Sequence, residues 1–309
     1  MADVSSHETH GNAGGMPLMD SVSEPLGTYP PSLTQSAVLQ GDAGVVLRNL
    51  PADFFQCCVT SPPYWGLRDY EAEGQIGAED DPRQYIEHLV VVFEQVRRVL
   101  AQDGTLWLNI GDSYTSGNRE YRAPDKKNPV RAMSYRAPTP AGLKPKDLVG
   151  IPWRVALALQ EAGWYLRSDI IWEKPNCMPE SVRDRPTRAH EYVFLLTKSL
   201  KYFYNNEAAR GPNGRNRRTV WSIPTEPFSG AHFATFPPRL VENCILPSTE
   251  PGDWVLDPFF GAGTVGVVCK EHNRHYVGVD LNPDYVRMAV ERIENTQPGL
   301  FAYAREFAR

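Results

Sequence analysis

Residues 255–264, with the sequence VLDPFFGAGT, decide the fold of this 309-residue chain. The segment predicts a buried strand, a tight turn at Gly261 and Gly263, and then the start of a helix. Glycines let the backbone approach a ligand closely, and the first turn of a helix offers free N–H groups. Seventeen residues after Gly263, a predicted strand at residues 276–279 ends in Asp280. An acid at this point typically binds ribose hydroxyls, which favours a nucleotide-like ligand over a tight turn alone.

Strands and helices alternate along the rest of the chain. The clearest helix spans residues 84–100, where Ile86, Leu89, Phe93 and Val96 recur at helical spacing. Further strands are expected at residues 37–39, 57–60, 105–110, 165–172, 192–197 and 254–256, and further helices at 43–50, 152–162, 264–271 and 283–294. This alternation predicts an α/β fold with a parallel sheet covered by helices on both faces.

The composition is that of a soluble globular protein, with 41% apolar and 22% charged residues. Residues 1–33 are rich in Ser, Gly, His and Pro, and we expect them to form a disordered tail. No apolar run reaches the length of a membrane span, and the first residues do not resemble a signal peptide. The five cysteines form no C-x-x-C pair and the seven histidines have no ligand spacing, so we expect reduced thiols, a cytoplasmic protein and no metal site. Trp107, Trp153, Trp164 and Trp172 lie at apolar positions, and we expect them in the core.

The net charge of −5 is distributed unevenly along the chain. Residues 113–218 hold 20 Lys and Arg against 10 Asp and Glu, whereas the remainder holds 12 against 27. This distribution is typical of a basic nucleic-acid-binding surface on an acidic body. Residues 113–147 and 198–231 also lack a helical or strand period, as functional or disordered insertions do. The alternative, a solvated arginine-rich loop without a partner, accounts equally well for the charge.

A second motif, TSPPYW at residues 60–65, lies where a predicted buried strand ends. An exocyclic base amine is a poor nucleophile because its lone pair is delocalised into the ring. Two acceptors on its N–H bonds would free that lone pair, and Ser61 Oγ and the Pro62 carbonyl can supply them. Pro62 and Pro63 restrict φ and lack N–H groups, and Tyr64 offers a flat face to a base extruded from a duplex. The alternative is a Ser-Pro-Pro turn beside a core aromatic.

With these two motifs, the chain resembles the beta class of DNA amino-methyltransferases, which occur in restriction–modification systems and as solitary or phage enzymes. The resemblance covers residues 37–294, and the catalytic motif precedes the cofactor loop, a circularly permuted order specific to this class. It implies the Rossmann-like α/β fold of S-adenosylmethionine-dependent methyltransferases, with a mostly parallel seven-stranded sheet. We therefore expect one methyltransferase domain at residues 34–297 and a C-terminal tail at residues 298–309.

The resemblance also implies the residues of the site and their ligand, S-adenosyl-L-methionine. The implied catalytic residues are Ser61, Pro62, Pro63 and Tyr64. The implied cofactor-binding residues are Asp42, Asp257, Phe259, Gly261, Gly263, Thr264, Asp280, Thr235 and Phe236. Among them, Asp280 matches the acid that binds the ribose, and Asp42 matches the position near the adenine. Residues 232–237, HFATFP, resemble the segment that closes over the methionine end, although the family more often has proline where Phe233 stands.

In this family SPPY accompanies cytosine N4, whereas D-P-P-Y or N-P-P-Y accompanies adenine N6. The expected reaction is therefore direct methyl transfer to the N4 of a flipped cytosine in DNA, with adenine N6 as the alternative. A cytosine C5 enzyme is disfavoured because the chain has no Pro-Cys dipeptide, and pyrophosphate binding because Val267 replaces the third glycine of G-x-G-x-x-G. RNA and protein amino-methyltransferases place the cofactor loop first. A catalytically inactive DNA-binding protein with this fold is the alternative from another class.

Double-stranded DNA is the expected partner, bound by recognition insertions at about residues 113–147 and 176–231. The residues expected to bind DNA are Lys126, Lys127, Arg131, Arg183, Arg185, Arg188, Arg215, Arg217 and Arg218. Phosphate contacts supply non-specific affinity, and arginine also suits bidentate contact with guanine. The resemblance further implies the cytoplasm of a bacterial or phage-infected cell, no membrane, a monomer or homodimer, and a cognate restriction endonuclease as a companion.

Overall fold

The computed structural model describes residues 33–66, 74–116, 137–177, 179–211, 213–226 and 236–299. The strands are β1 (Ala37–Gln40), β2 (Phe55–Thr60), β3 (Leu100–Ile110), β4 (Tyr165–Glu173), β5 (His190–Thr197), β6 (Val220–Ser222), β7 (Trp254–Asp257) and β8 (His275–Asp280). The helices are α1 (Ala43–Arg48), α2 (Pro82–Val99), α3 (Ile151–Glu161), α4 (Pro238–Ser248), α5 (Thr264–Glu271) and α6 (Pro283–Glu294). The expected α/β alternation is confirmed.

The described strands form one sheet in the order β1-β8-β7-β2-β3-β5-β4-β6. Strand β5 runs antiparallel to both of its neighbours, and the other strand pairs described are parallel. The mostly parallel sheet is therefore confirmed, but it has eight described strands and not the expected seven. The additional strand, β6, lies in the arginine-rich insertion. It is only three residues long, so it shows no detectable strand period.

Helices cover both faces of the sheet, as the alternation predicts. On one face α2 lies between α1 and α3 and buries Tyr85, Leu89 and Phe93 completely. On the other face α5 packs between α4 and α6. Adjacent residues of β2 point to opposite sides, with Cys58 in the first core and Cys57 in the second. Each fully buried Leu or Phe contributes roughly 1.5–3 kcal/mol, so the two cores hold the strand ends in fixed positions.

The bounds of several helices follow from their caps. Helix α2 begins at Pro82, earlier than predicted, because the Asp81 carboxylate accepts a hydrogen bond from Arg83 N at 2.9 Å and proline suits the first turn. Helices α5 and α6 have the predicted bounds. Helix α4 was not predicted. Pro238 at its start and Pro247 inside it interrupt the helical pattern in the sequence, although both positions are compatible with the helix formed.

Three of the four tryptophans expected in the core are buried there, namely Trp107, Trp164 and Trp172. The expectation was wrong for Trp153, which lies on α3 and is 39% exposed. Its ring meets Phe194 edge-on, with the ring centroids 5.3 Å apart. Amphipathic rings of this kind combine a packed edge with a solvent-facing one, and apolar spacing alone does not separate this case from full burial.

Residues 1–32 and 300–309 lie outside the described residues. The expected tails and the limits of the methyltransferase domain therefore remain predictions. The two expected recognition insertions are described only in part, because residues 117–136 and 227–235 also lie outside. Among the described helices, none combines the length and the apolar character needed to cross a membrane.

Candidate active site

The two motifs meet at one edge of the sheet. Strands β1, β8, β7 and β2 are parallel neighbours, so their carboxyl ends lie side by side. Gly41 and Asp42 follow β1, and Ser61 follows β2. Asp257 and Asp280 are the last residues of β7 and β8. Ligands of open α/β sheets bind at this edge, which makes it the candidate active site.

Gly261 and Gly263 both have left-handed backbones, with φ of +50° and +73°, but they serve different purposes. A Cβ on Gly263 would lie 2.9 Å from Ala289 Cβ, so this glycine is needed for close packing of α6 against the loop. A Cβ on Gly261 would meet no atom within 4 Å. Gly261 therefore borders open space at the carboxyl edge of the sheet, where a ligand can approach the backbone.

Asp280 holds the glycine loop from the neighbouring strand. Its Oδ2 accepts a hydrogen bond from Gly261 N at 2.7 Å, and its Oδ1 accepts one from Asn282 N at 2.9 Å. Burial raises the pKa of this carboxyl, and the two backbone hydrogen bonds oppose that effect. Gly41 N donates to the Asp280 carbonyl at 2.9 Å and joins the ends of β1 and β8. The exposed Asp42 caps α1, accepting from Val45 N at 2.8 Å.

Asp257 links the glycine loop to residues 61–64, which we call the catalytic turn after the role expected for them. Thr60 Oγ1 donates to Asp257 Oδ1 at 2.6 Å, and Phe259 N donates to the same oxygen at 3.1 Å. The second oxygen, Oδ2, is buried and has no hydrogen-bond partner among the described residues. Burial raises the pKa of the carboxyl to about 7 despite the hydrogen bonds from Thr60 and Phe259. Buried polar atoms are rarely unpaired, so Oδ2 is a candidate partner for a polar group of a ligand.

Three further expected cofactor residues surround the loop. Thr264 is buried at the start of α5, and its Oγ1 accepts a hydrogen bond from Arg292 Nη1 at 3.0 Å. Phe259 is partly buried against the core beneath α2, and Phe236 against the core on the opposite face. The Thr264 hydroxyl is thus engaged within the fold, whereas both rings keep some exposure. Thr235 lies outside the described residues.

The side chains of two aromatic residues, Tyr85 and Trp65, fix the catalytic turn, residues 61–64, through hydrogen bonds. Tyr85 Oη donates to the Pro63 carbonyl at 2.8 Å. Trp65 is buried, and its Nε1 donates to a backbone carbonyl at 2.8 Å. No described residue donates a hydrogen bond to the Pro62 carbonyl. The turn is therefore rigid, with one carbonyl left available as an acceptor.

Tyr64 is fixed through both its ring and its hydroxyl. The ring packs on Gly111, where a Cβ would lie 2.6 Å from Tyr64 Cε2. Its Oη donates to Glu191 Oε2 at 2.8 Å, and Ser61 Oγ donates to the same Oη at 3.3 Å. The plane of the ring is therefore set by the fold before any base is bound.

Glu191 brings a negative charge to this part of the site. Burial would raise the pKa of its carboxyl, but Lys174 outweighs burial and, with hydrogen bonds from Tyr64 and Asn109, holds that pKa below its ordinary value. Lys174 Nζ forms a short ion pair with Glu191 Oε1 and lies 4.1 Å from the centroid of the Trp172 ring. No sequence pattern singled out Glu191, Lys174 or Asn109. They lie on or after different strands, and only strand pairing brings them together.

Three of the expected DNA-binding arginines lie between β4 and β5, at the same edge as the catalytic turn. Arg183 is exposed. Arg185 Cζ lies 3.9 Å from the centroid of the Tyr114 ring, and its Nη1 pairs with Glu180 Oε2 at 2.7 Å. The guanidinium of Arg188 lies farther from the same ring, at 5.8 Å. Arg185 thus contacts both Tyr114 and Glu180, whereas Arg183 reaches solvent.

Asp112 explains the position of Arg188. The Asp112 carboxylate accepts hydrogen bonds from Gly150 N and Ile151 N, both at 2.9 Å, and so caps α3. Gly150 cannot provide a side-chain cap itself. Arg188 Nη1 donates to the Asp112 carbonyl, which ties this arginine to the start of α3.

The second group of expected DNA-binding arginines lies elsewhere. Arg215, Arg217 and Arg218 precede β6, which runs parallel to β4 with Val220 paired to Ile171. Their segment therefore leads into the amino end of β6, whereas the first group follows the carboxyl end of β4. Arg215 and Arg218 are exposed and Arg217 is partly buried. Lys126, Lys127 and Arg131 lie outside the described residues.

Two solved methyltransferase structures resemble this fold. The PvuII DNA methyltransferase (cytosine-N4-specific) superposes with a TM-score of 0.66 at 20% identity, covering 84% of this chain and 86% of that chain. A Thermus thermophilus protein assigned as a DNA modification methylase, in complex with S-adenosyl-L-methionine, gives a TM-score of 0.61 at 26% identity, covering 85% and 96%. These similarities confirm the expected methyltransferase fold.

Sequence comparison identifies close relatives. Type II methyltransferase M.XycI of Xanthomonas campestris pv. cyanopsidis is 61% identical over 279 residues, covering 89% of this chain and 93% of that protein. Type II methyltransferase M.Cfr9I of Citrobacter freundii is 60% identical over 286 residues, covering 91% and 94%. The DNA methylase family model matches residues 55–291, a range that includes the catalytic turn, the glycine loop and Asp280. This chain therefore belongs to the DNA methylase family, together with the Type II methyltransferases it is similar to.

Proposed function

We propose that the protein transfers a methyl group from S-adenosylmethionine to the exocyclic N4 of a cytosine extruded from double-stranded DNA. Methylation of DNA follows from the family, whereas the choice of cytosine N4 is the proposal. The observation that carries it is the pair of acceptors at the catalytic turn. Ser61 offers a neutral hydroxyl where an acid or amide would stand in an adenine-type motif, and the Pro62 carbonyl has no described partner.

The residues at the carboxyl edge fit S-adenosylmethionine. Asp280 at the end of β8 suits the ribose hydroxyls, and Asp42 at the neighbouring end of β1 suits the adenine side. Asp257 Oδ2 is a buried acceptor without a described partner, and Gly261 leaves space beside the backbone. The partly buried ring of Phe259 offers an apolar wall. The chemistry that the cofactor supplies when bound is an electrophilic methyl group on a sulfonium.

The catalytic turn activates and orients the amine. Ser61 Oγ and the Pro62 carbonyl accept the two N–H hydrogens and draw the nitrogen towards tetrahedral geometry, which frees its lone pair for attack. The ring of Tyr64, fixed against Gly111, provides the surface on which the extruded base stacks. Transfer is direct, without a covalent intermediate, and the methylated amine then releases one proton to solvent. The contribution of the protein is therefore positioning and a preorganised set of acceptors.

The segment between β4 and β5 supports the proposed DNA surface. Arg183 is exposed after the carboxyl end of β4, and Arg185 Cζ lies 3.9 Å from the centroid of the Tyr114 ring. An arginine suits bidentate contact with a guanine edge, and an exposed guanidinium attracts phosphates. In a restriction–modification system, the companion is a cognate endonuclease from which this methylation protects the host DNA.

Nucleoside mass spectrometry of DNA from a bacterial host expressing the protein tests the target atom. We expect N4-methylcytosine, lost in a Ser61→Ala variant whose single-turnover rate falls by roughly 100-fold while DNA affinity is kept. Ser222→Ala, an exposed serine on β6, is the matched control and should methylate normally. N6-methyladenine alone would overturn the cytosine assignment. Absence of any methylated base, with normal cofactor binding, would favour the inactive DNA-binding alternative.

A further inference from the structure

We propose that Glu191 is a positioning residue that sets the direction of a hydrogen-bond chain ending at Ser61, so that Ser61 presents lone pairs to the base amine. The inference rests on the methyl transfer proposed above and adds a residue to it. It follows from the geometry of three side chains. Ser61 Oγ contacts Tyr64 Oη, and Tyr64 Oη contacts Glu191 Oε2.

The fold brings this chain together from distant parts of the sequence. Tyr64 follows β2, and Asn109 lies near the end of β3. Lys174 follows β4, and Glu191 is the second residue of β5, paired across the sheet with Trp172. Because β5 is antiparallel to β3 and β4, its first residues lie at the carboxyl edge occupied by the catalytic turn. The antiparallel direction of β5 thus places Glu191 next to the hydroxyl of Tyr64.

The direction of the chain follows from counting protons. Lys174 Nζ donates to Glu191, so the carboxylate is ionised and can only accept hydrogen bonds. Tyr64 has one hydroxyl proton and two acceptors within reach, Glu191 Oε2 at 2.8 Å and Asn109 Oδ1 at 3.3 Å, and the shorter contact with the charged oxygen directs the proton to Glu191. Tyr64 Oη must then accept at its 3.3 Å contact with Ser61 Oγ. Ser61 donates its single hydroxyl proton to Tyr64, so both lone pairs of Ser61 Oγ remain available to accept an amine hydrogen.

A neutral side chain at position 191 would not fix the direction of the hydrogen-bond chain. A glutamine side chain can present either its oxygen or its amide nitrogen to Tyr64, and the second orientation reverses the chain. Tyr64 would then donate to Ser61, and the Ser61 proton would turn towards the substrate, where it competes with the amine hydrogens. The rate of methyl transfer would fall, although the binding of cofactor and of DNA would change little.

Fold stability alone does not account for this ion pair. The side chains of Glu191 and Lys174 retain only 18% and 16% of their exposure, so both charges are largely removed from water. Buried ion pairs often contribute no more than apolar residues of similar volume, because desolvation offsets their attraction. A charge kept beside the catalytic turn is better explained by its action on Tyr64.

A double-mutant cycle on the full-length protein tests the inference. Single-turnover methyl transfer is measured with saturating S-adenosylmethionine and duplex DNA, together with the affinity for each. We expect Glu191→Gln and Tyr64→Phe each to slow transfer by about 10- to 100-fold, as expected for a lost hydrogen bond to a charged group. The double variant should be no slower than the slower single variant, because both changes break the same chain. Glu173→Gln, an exposed acid at the end of β4, is the matched control.

The outcomes separate the inference from the proposed function. If wild type and Glu173→Gln transfer methyl groups and either single variant keeps the full rate, the inference is overturned. Losses that multiply in the double variant, or a loss of cofactor affinity in Glu191→Gln, would also overturn it, because they indicate a structural role. Should Glu191→Gln fold poorly, Tyr64→Phe removes a single oxygen and tests the same chain. Absence of transfer by the wild type would instead contradict the proposed function.

Discussion

The site divides into a half proposed to bind the cofactor, at the ends of β1, β7 and β8, and a half proposed to bind the base, at the ends of β2 and β3 and the start of β5. Each half, called below the cofactor half and the base half, contains a carboxyl largely removed from water, in a different setting. Asp257 in the cofactor half has no cation beside it among the described residues, and burial raises its pKa to about 7. Glu191 in the base half is also largely buried, with 18% of its side chain exposed, but Lys174 and two hydrogen-bond donors lower its pKa. The comparison shows that burial alone does not decide the charge of a carboxyl. The nearest cation does.

The difference has a chemical consequence for each half. A carboxyl that titrates near neutral pH can donate or accept a hydrogen bond, so Asp257 can adapt to the ligand group that meets its free Oδ2. An ionised carboxylate only accepts, so Glu191 imposes a direction on the hydroxyls in front of it. In the cofactor half, Asp257 can therefore donate or accept a hydrogen bond. In the base half, the ionised Glu191 fixes the direction of the hydrogen bonds.

The largest expected effect is the way in which the stability of the protein depends on pH, which should differ between Asp257 and Glu191. The folded pKa of Asp257, about 7, lies above its ordinary value of 3.8, so the folded state binds an extra proton between these values. Stability is therefore lost as pH rises through this window, by up to about 4 kcal/mol. Asp257→Asn removes this titration, and its free energy of unfolding relative to wild type should increase from about pH 4 to about pH 8. Urea denaturation at several pH values measures it.

Glu191→Gln should change the pH dependence in the opposite direction. Its folded pKa is lowered, so Glu191 contributes stability above the unfolded pKa and loses it as pH falls through the folded pKa. The variant should be less stable than wild type near neutral pH, and the difference should shrink in acid. Glu173→Gln, which changes an exposed acid on β4, is the control. The same trend in both buried-carboxyl variants would contradict the contrast between the halves.

The two halves also differ in how far sequence could predict them. In the cofactor half, the glycine loop and Asp280 belong to one strand-turn-helix-strand unit, so local spacing identified them and the structure places them together. In the base half, Tyr64 and Glu191 are 127 positions apart in sequence. Their contact depends on the antiparallel placement of β5, which no local pattern encodes.

The prediction of the fold from sequence has the same limit. The alternating elements and the bounds of α5 and α6 followed from periodicity and caps. Helix α4 and strand β6 did not, because prolines mask the first and the second has three residues. The arginines were predicted from charge alone, which carries no information on position. Only the parallel pairing of β6 with β4 separates Arg215 and Arg218 from the edge where Arg183 lies.

The next effect concerns cofactor binding. Asp280→Ala removes the acceptor for Gly261 N and the carboxylate expected to bind the ribose, and should weaken S-adenosylmethionine binding by roughly 100-fold. Gly261→Val should weaken it comparably, because the open space at that position would be filled. Calorimetric titration measures both. Transfer at saturating cofactor should be affected much less than affinity in Asp280→Ala, since the base half is unchanged.

Two controls make this test specific. Asp284→Ala, an exposed acid in the first turn of α6, should leave cofactor affinity unaltered. Thermal denaturation reports whether Gly261→Val, at a φ of +50°, remains folded. Wild-type affinity in both folded variants would remove the cofactor assignment from this half of the site.

The smallest expected effect separates the two groups of arginines beside the base half. Arg183 is exposed at the edge that carries the catalytic turn, whereas Arg215 and Arg218 lie where β6 enters from the amino side. If DNA approaches the catalytic edge, Arg183→Ala should lower duplex affinity by about 5- to 10-fold at low salt and reduce the slope of log affinity against log salt by about 0.9. The double variant Arg215→Ala/Arg218→Ala should reduce the slope by less than Arg183→Ala alone, despite removing two charges. Fluorescence anisotropy over a range of salt concentrations measures these slopes, with Arg48→Ala, an exposed residue at the far end of α1, as the control. If the double variant reduces the slope more than Arg183→Ala does, the DNA surface lies at the segment before β6 and not at the β4–β5 segment. Charge density would then matter more for DNA binding than distance from the catalytic turn.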